Sequence, residues 1–332
     1  MIAGSIIADF NSAALTLFSF QFDHVEIYRQ FCEHLGVTPA TIQDWRDIPA
    51  LPTAAFKEHA VTSLSEAERT HVFHSSGTTQ QTPSRHFHNE QSLSIYEVSM
   101  EIWFNRYFPA NARLIVLTPP PAIAPHSSLV HMFDTIRRAA GAPESVFMAG
   151  AGADGAWVLD FEKTLHSLSG NNRPVTVMGT AFSFVHLFDE LETKHPHPLL
   201  PSGSCALETG GYKGRSRTLP KVELHCLITK YLGIQETGIV AEYGMSELSS
   251  QAYEREGVFH FPPWARTRII SPETGLEVEE GQIGLLQVFD LANTYSVMSV
   301  QTEDLAIRRG EGFELLGRAA LAEPRGCSLM PE

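Results

Sequence analysis

The sequence predicts an α/β protein, with a parallel or mixed sheet flanked by helices and a small antiparallel β subdomain after it. Between residues 113 and 242, short β-branched runs alternate with helical stretches, the pattern of strands joined by crossover helices. Beyond residue 255 the helical periodicity stops. Strand-length runs there are separated by turn clusters such as Ser271-Pro272-Glu273-Thr274-Gly275. Hydrophobic residues make up 43% of the chain and charged residues 19%, so 332 residues can fill a substantial core and the chain is not a disordered one.

The elements follow in order. From residue 10 to 35 apolar positions recur at helical spacing, with Asp9 or Asn11 available as cap, which predicts one or two helices. Pro49 and Pro52 set an extended connector. Asn89 is placed to cap a helix reaching about residue 107. Strands are expected at 113–118, 145–148, 174–178, 204–208 and 238–242, with helices near 128–140, 159–169, 182–194 and 219–232. Residues 266–270, 282–290 and 296–301 read as antiparallel strands covered on one face. The change of texture divides the chain into 1–255 (α/β) and 256–332 (β subdomain and tail), both within one large domain.

Basic residues number 24 against 38 acids, a net charge of −14, which argues against a nucleic-acid or anionic-lipid partner. The apolar run 175–188 is broken by Gly179, Ser183 and His186 and is shorter than the ~20 residues of a membrane span. Met1-Ile2-Ala3-Gly4-Ser5 carries no basic leader, so no secretory signal is expected. Cys32, Cys205, Cys226 and Cys327 form no CxxC pair, which predicts a reducing cytoplasm. The first three lie in apolar patterns and are expected to be buried. No histidine cluster has zinc-ligand spacing.

Four segments carry candidate chemistry. Ser75-Ser76-Gly77-Thr78-Thr79, after His71-Val72-Phe73 and before a helix, offers backbone N–H groups and hydroxyls without bulk. It reads either as a polar turn or as a wrap for phosphates, and is not a P-loop, lacking the lysine. Thr209-Gly210-Gly211 ends a strand, as a tight turn or as a seat for a flat ligand. Tyr243-Gly244-Met245-Ser246-Glu247 ends another, with an aromatic ring, a hydroxyl and a carboxylate close together. Asp304 and Arg318 lie 14 positions apart on neighbouring strands, an acid and a base able to clasp ribose hydroxyls or merely to pair.

The order SSGTT, GG, YGMSE, TEDL, GR resembles that of the adenylate-forming enzymes, the acyl-CoA synthetase and ligase superfamily. More narrowly, SSGTT…PSRH, ETGGYKGR, EYGMSELSSQAY and LGRAALAEPRGCSL resemble the acyl-protein synthetases of the bacterial luminescence type (LuxE-like), over most of the chain, with His86 able to touch substrate or phosphate. The resemblance implies the fold of an adenylate-forming N-terminal domain, with 1–255 binding nucleotide and acyl group. It implies ATP-dependent, Mg2+-assisted activation of a carboxylic acid as acyl-adenylate, then transfer to a cysteine thiol and on to an acyl-reductase or carrier-protein partner. Carried over, Ser75, Ser76, Gly77, Thr78 and Thr79 hold phosphates, and Gly210, Gly211 and Tyr243 frame adenine. Ser246 lies near the α-phosphate, Glu247 reaches Mg2+, and Asp304 with Arg318 binds ribose. Phe182, Phe184 and His186 either face the acid or pack the core.

Three features depart from the superfamily pattern. Gln80 stands where glycine usually follows SGTT, which narrows the backbone choices. The superfamily's mobile C-terminal domain with its catalytic lysine has no counterpart in this sequence, so Arg85, Lys213, Arg215 or a partner is expected to supply that charge. Cys327, beside Arg325, is the expected acyl acceptor, because a neighbouring cation favours the thiolate. A CoA ligase of phenylacetate type, or a non-catalytic binding subunit of a reductase complex, are the competing readings.

Overall fold

The computed structural model describes residues 9–75, 82–109, 112–142, 144–153, 156–170, 172–193, 197–210 and 219–319. Helices α1 (Phe10–His24) and α2 (Glu26–His34) open the fold, α1 capped by the Asp9 carboxylate, which accepts from the Ser12 N–H. Strand β1 (Leu51–Pro52) and the single-turn helix α3 (Ala55–Glu58) follow. Strands β2 (His71–His74) and β3 (Arg85–His88) form an antiparallel hairpin. The Ser/Thr segment therefore joins two strands instead of leading into a helix. Its second strand is hidden in the sequence because the inward positions of Arg85-His86-Phe87-His88 are histidines, His86 and His88, not aliphatic residues. Asn89 then caps α4 (Glu90–Phe104), accepting from the Ser92 N–H.

The alternating region comprises β4 (Arg113–Val116), α5 (Ser128–Ala139), β5 (Val146–Phe147), the small hairpin β6 (Ala149–Ala151) and β7 (Trp157–Leu159), and α6 (Phe161–Leu168). It continues through β8 (Val175–Thr180), α7 (Ala181–Leu191), β9 (Cys205–Thr209), α8 (Lys221–Leu232) and β10 (Ile239–Tyr243). Strands β5, β4, β8, β9 and β10 lie side by side and parallel. All of β8 is buried, as a central strand covered on both faces must be. Val177 and Ala206 pack on one face with Phe184, Phe188 and Ile228. Met178, Leu207 and Val240 meet Met100, Phe104 and Phe133 on the other.

The sheet then changes direction without ending. Strand β11 (Ala252–Arg255) pairs antiparallel with β10, and β12 (Val258–His260), β13 (Ala265–Ile270), β14 (Ile283–Asp290), β15 (Ser299–Arg309) and β16 (Gly312–Arg318) complete one 12-stranded sheet. Strand β15 is longer than expected. Its buried Val300, Thr302, Asp304 and Ala306 alternate inward, but two of them are polar and mask the strand signal. Helices α1 and α2 cover this part, with Phe18 and Tyr28 in one core with Leu286, Val288, Phe289 and Val300.

Cys32 is buried as expected, but Cys205 is partly exposed and Cys226 is exposed. On α8 the inward positions are Leu224, Ile228 and Tyr231, so helical geometry turns Cys226 outward. Among the described residues no helix is long and apolar enough to cross a membrane.

Candidate active site

The C-terminal ends of β9 and β10, the neck of the β2–β3 hairpin and the β15–β16 pair meet in one place. This is where ligands bind in open α/β sheets. At the end of β10 the Tyr243 ring is buried against Phe259, Phe261 and Phe313, and its hydroxyl donates to Asp304 Oδ2 at 2.7 Å. Burial and the Asp304 charge hold the Tyr243 pKa well above its ordinary value, so the phenol stays a donor. Asp304 faces Arg318 in register, with Arg318 Nε 3.7 Å from Oδ1. The Arg318 side chain is 79% exposed, so its guanidinium is open to a ligand. Burial pushes the Asp304 carboxyl up, opposed by the Tyr243 hydrogen bond and the Arg318 charge.

Gly244 lets the chain leave β10, since a Cβ there would overlap the Glu242 carboxylate. Glu242 is buried and accepts a hydrogen bond from the Thr209 hydroxyl, and burial pushes its carboxyl up to about 7. Gly210 follows Thr209 with φ of 68°, a conformation that glycine adopts without strain.

Ser246 and Glu247 are buried side by side, the Ser246 hydroxyl donating to Glu247 Oε2 at 3.0 Å. The hairpin holds them. Ser84 Oγ lies 3.3 Å from Ser246 Oγ, and His86 Nδ1–H donates to the Ser246 carbonyl at 2.7 Å. Burial lowers the His86 pKa to about 4, so the imidazole is neutral and the tautomer is fixed by that bond. The neck closes with Ser84 N–H donating to Ser75 Oγ at 2.9 Å.

A second support comes from the turn after β14. Asn293 Nδ2 donates to the carbonyls of Glu247 and Val297, while its Oδ1 accepts from the Ser249 hydroxyl. The Asp290 carboxylate accepts from the Ser249 N–H, the Ser250 hydroxyl and the Ala292 N–H. Gln21 of α1 donates to the Asn293 carbonyl and accepts from the Met298 N–H. Asp290, Asn293 and Gln21 are thus site-shaping residues that carry no motif, whereas Ser84 and His86 belong to the Pro83-Ser84-Arg85-His86 stretch. The turn spacing Asp290-Leu291-Ala292-Asn293 after a strand is the one sequence hint.

Of the residues expected from sequence, the fold brings Ser75, Gly210, Tyr243, Ser246, Glu247, Asp304 and Arg318 to the segments that meet here. Ser76, Gly77, Thr78, Thr79, Gln80, Gly211, Lys213, Arg215 and Cys327 lie outside the described residues. Phe184 belongs to the core beneath α7, and the Phe182 and His186 rings pack on each other at 4.4 Å. The donor set at Glu247 suits Mg2+: a carboxylate beside a hydroxyl, with no cationic partner among the described residues. Those residues contain no group of three metal-binding side chains, and an ion that arrives with phosphates needs only one or two carboxylates.

Comparison with known proteins gives the same picture. A long-chain-fatty-acid–luciferin-component ligase of Vibrio harveyi is 22% identical over 334 residues, covering 94% of this chain and 84% of that protein. The ligase of the same description from Aliivibrio fischeri is 23% identical, covering 94% and 85%. Among solved structures, 2-hydroxyisobutyryl-CoA ligase in its thioesterification state aligns with a TM-score of 0.69 and 17% identity, over 95% of this chain and 69% of that one. ATP-bound MatB from Rhodopseudomonas palustris aligns at 0.52 and 15%, over 84% and 52%. These neighbours establish the fold, that of the N-terminal domain of adenylate-forming enzymes. A profile of the acyl-protein synthetase family, LuxE, matches residues 8–331, and the chain belongs to that family of AMP-forming ligases.

Proposed function

We propose that this ligase activates a fatty acid as its acyl-adenylate and transfers the acyl group to a protein cysteine, with Cys327 as first acceptor and an acyl-reductase or carrier protein as the consumer. The observation that carries the reading is the junction of Ser246–Glu247 with the hairpin neck on one side and Tyr243–Asp304–Arg318 on the other. It gathers a hydroxyl, a carboxylate and a ribose-sized acid–base pair at the ends of the parallel strands.

A carboxylate is a poor electrophile, and AMP is a far better leaving group than oxide. In the first step an acid oxygen attacks the α-phosphorus of ATP and the bond to pyrophosphate breaks. Ser75, Ser76, Gly77, Thr78 and Thr79 supply N–H and hydroxyl donors to the phosphates. The Ser246 hydroxyl turns from Glu247 to the α-phosphate. Gly210, Gly211 and Tyr243 frame the adenine, and Asp304 with Arg318 takes the ribose hydroxyls. Glu247 is the residue that would hold Mg2+, whose chemistry there is to neutralise phosphate charge. In the second step the Cys327 thiolate attacks the acyl carbonyl and AMP leaves, giving a thioester. A reducing cytoplasm suits a reaction that ends on a free thiol.

The test uses radiolabelled fatty acid with ATP and Mg2+. The label should appear on the protein, be released by hydroxylamine, and be absent from Cys327→Ala. Label that accumulates on added CoA, with none on protein, would instead favour the CoA-ligase reading.

A further inference from the structure

Strands β9 and β10 stay paired from Ala206 and Ile239 up to Thr209 and Glu242, and there the ladder stops. Beyond it the two chains part. Gly210 turns away with φ of 68°, while β10 gives one more residue and leaves through Gly244. Both departures are made on glycine, which brings no side chain to hold its own turn and has the widest choice of backbone conformations. Where the backbone pairing ends, a side-chain bond takes over. The Thr209 hydroxyl donates to Glu242 Oε2, and both residues are buried. The other carboxyl oxygen, Oε1, fills the space that a Cβ at residue 244 would need.

A carboxyl is costly at this position. Across the next ladder Glu242 pairs with Tyr253 of β11, and Val240, two residues earlier on the same face, belongs to the apolar core with Met100 and Phe104. Burial and the nearby Glu208 push the Glu242 carboxyl up to about 7, opposed by the Thr209 hydrogen bond. None of the steps above uses it as acid, base or ligand. An aliphatic side chain would fill the same core without that cost, but it could not accept from Thr209.

We propose that Glu242 is a positioning residue for the nucleotide: with Thr209 it latches the turn at Gly210 to the turn at Gly244, and so fixes the spacing of the walls that frame the adenine. The proposal rests on the adenylation reading above, in which Gly210, Gly211 and Tyr243 form those walls. Glu242 acts through the two glycine turns. One leads away from β9, and the other carries Ser246 and Glu247 two and three residues further on. A gap already set to the thickness of a base takes it up without the entropic cost of ordering both turns on binding.

Calorimetric titration with AMP and with inorganic pyrophosphate, beside amide hydrogen exchange on the unliganded protein, tests the latch. Thr209→Val keeps the shape and removes the donor. It is expected to weaken AMP binding about tenfold and to leave pyrophosphate binding within about twofold of wild type. Thr209→Ser restores the hydroxyl and should bind AMP as wild type does, as should Glu242→Gln, whose amide oxygen accepts the same bond. Exchange in the peptides that contain Gly210 and Gly244 should quicken together in Thr209→Val and in Glu242→Leu, with the double variant adding nothing beyond either one. Unchanged AMP affinity in Thr209→Val, or a loss in Thr209→Ser as large as in Thr209→Val, would overturn the assignment. So would equal losses for AMP and pyrophosphate, the mark of general loosening. A wild-type protein that binds neither AMP nor ATP would sink the adenylation reading, while exchange in the two peptides would still decide the latch.

Discussion

The hydrogen bond from His86 Nδ1–H to the Ser246 carbonyl joins residues 160 positions apart and sets the orientation of the Ser246–Glu247 pair. An asparagine amide places a donor close to where Nδ1 lies, whereas leucine fills the space without one. His86→Leu should therefore lower the kcat of pyrophosphate–ATP exchange by at least about tenfold, while His86→Asn retains most of it, with melting temperatures measured alongside. Equal exchange rates in both variants would remove His86 from the account. Glu242 gives a pH-dependent prediction. Its folded carboxyl, pushed up to about 7 from an unfolded value near 4.5, holds a proton that the unfolded chain releases. Stability therefore falls as pH rises through that window, by at most about 3 kcal/mol. Glu242→Gln removes the penalty. In urea unfolding it should exceed wild type at pH 8 and converge on it towards pH 5; a difference constant with pH would contradict this. At this scale Tyr243, Ser246, Glu247, Asp304 and Arg318 were legible because motif order carried them. Asn293 was not, because a buried polar partner drawn from a distant segment leaves no period or spacing to read.

Among the elements, the turn after β14 does more for the site than its composition suggests. Through Asn293 it holds the Glu247 carbonyl, and through Asp290 it holds Ser249 and Ser250. Asn293→Ala leaves the buried Glu247 and Val297 carbonyls without that donor, which should cost roughly 3 kcal/mol in urea unfolding. A loss under about 1 kcal/mol would mean that the turn is held by other contacts. The parallel strands were readable as β-branched runs because both of their faces are buried. The β2–β3 hairpin was not, since His71, His74, His86 and His88 occupy positions where a strand usually shows aliphatic residues. The inward Thr302 and Asp304 concealed the length of β15 in the same way.

Across the whole molecule, a single sheet passes from parallel to antiparallel pairing at β10. Tyr243 belongs to the parallel part and Asp304 to the antiparallel part, so their hydrogen bond spans the seam. Fold class and the alternation of strands with helices in the parallel half followed from the sequence. The closure did not, because pairings such as Leu51 with Val300 join segments that share no local signal. The proposed function requires this seam to bring an acid and ATP together for attack at the α-phosphorus. Isotope exchange between pyrophosphate and ATP, followed as fatty acid is titrated in, measures that step directly. Exchange should require the acid, saturate with it, and fall about 10²-fold in Glu247→Gln. Acid-independent exchange, or none at all from a protein that binds ATP, would contradict the account.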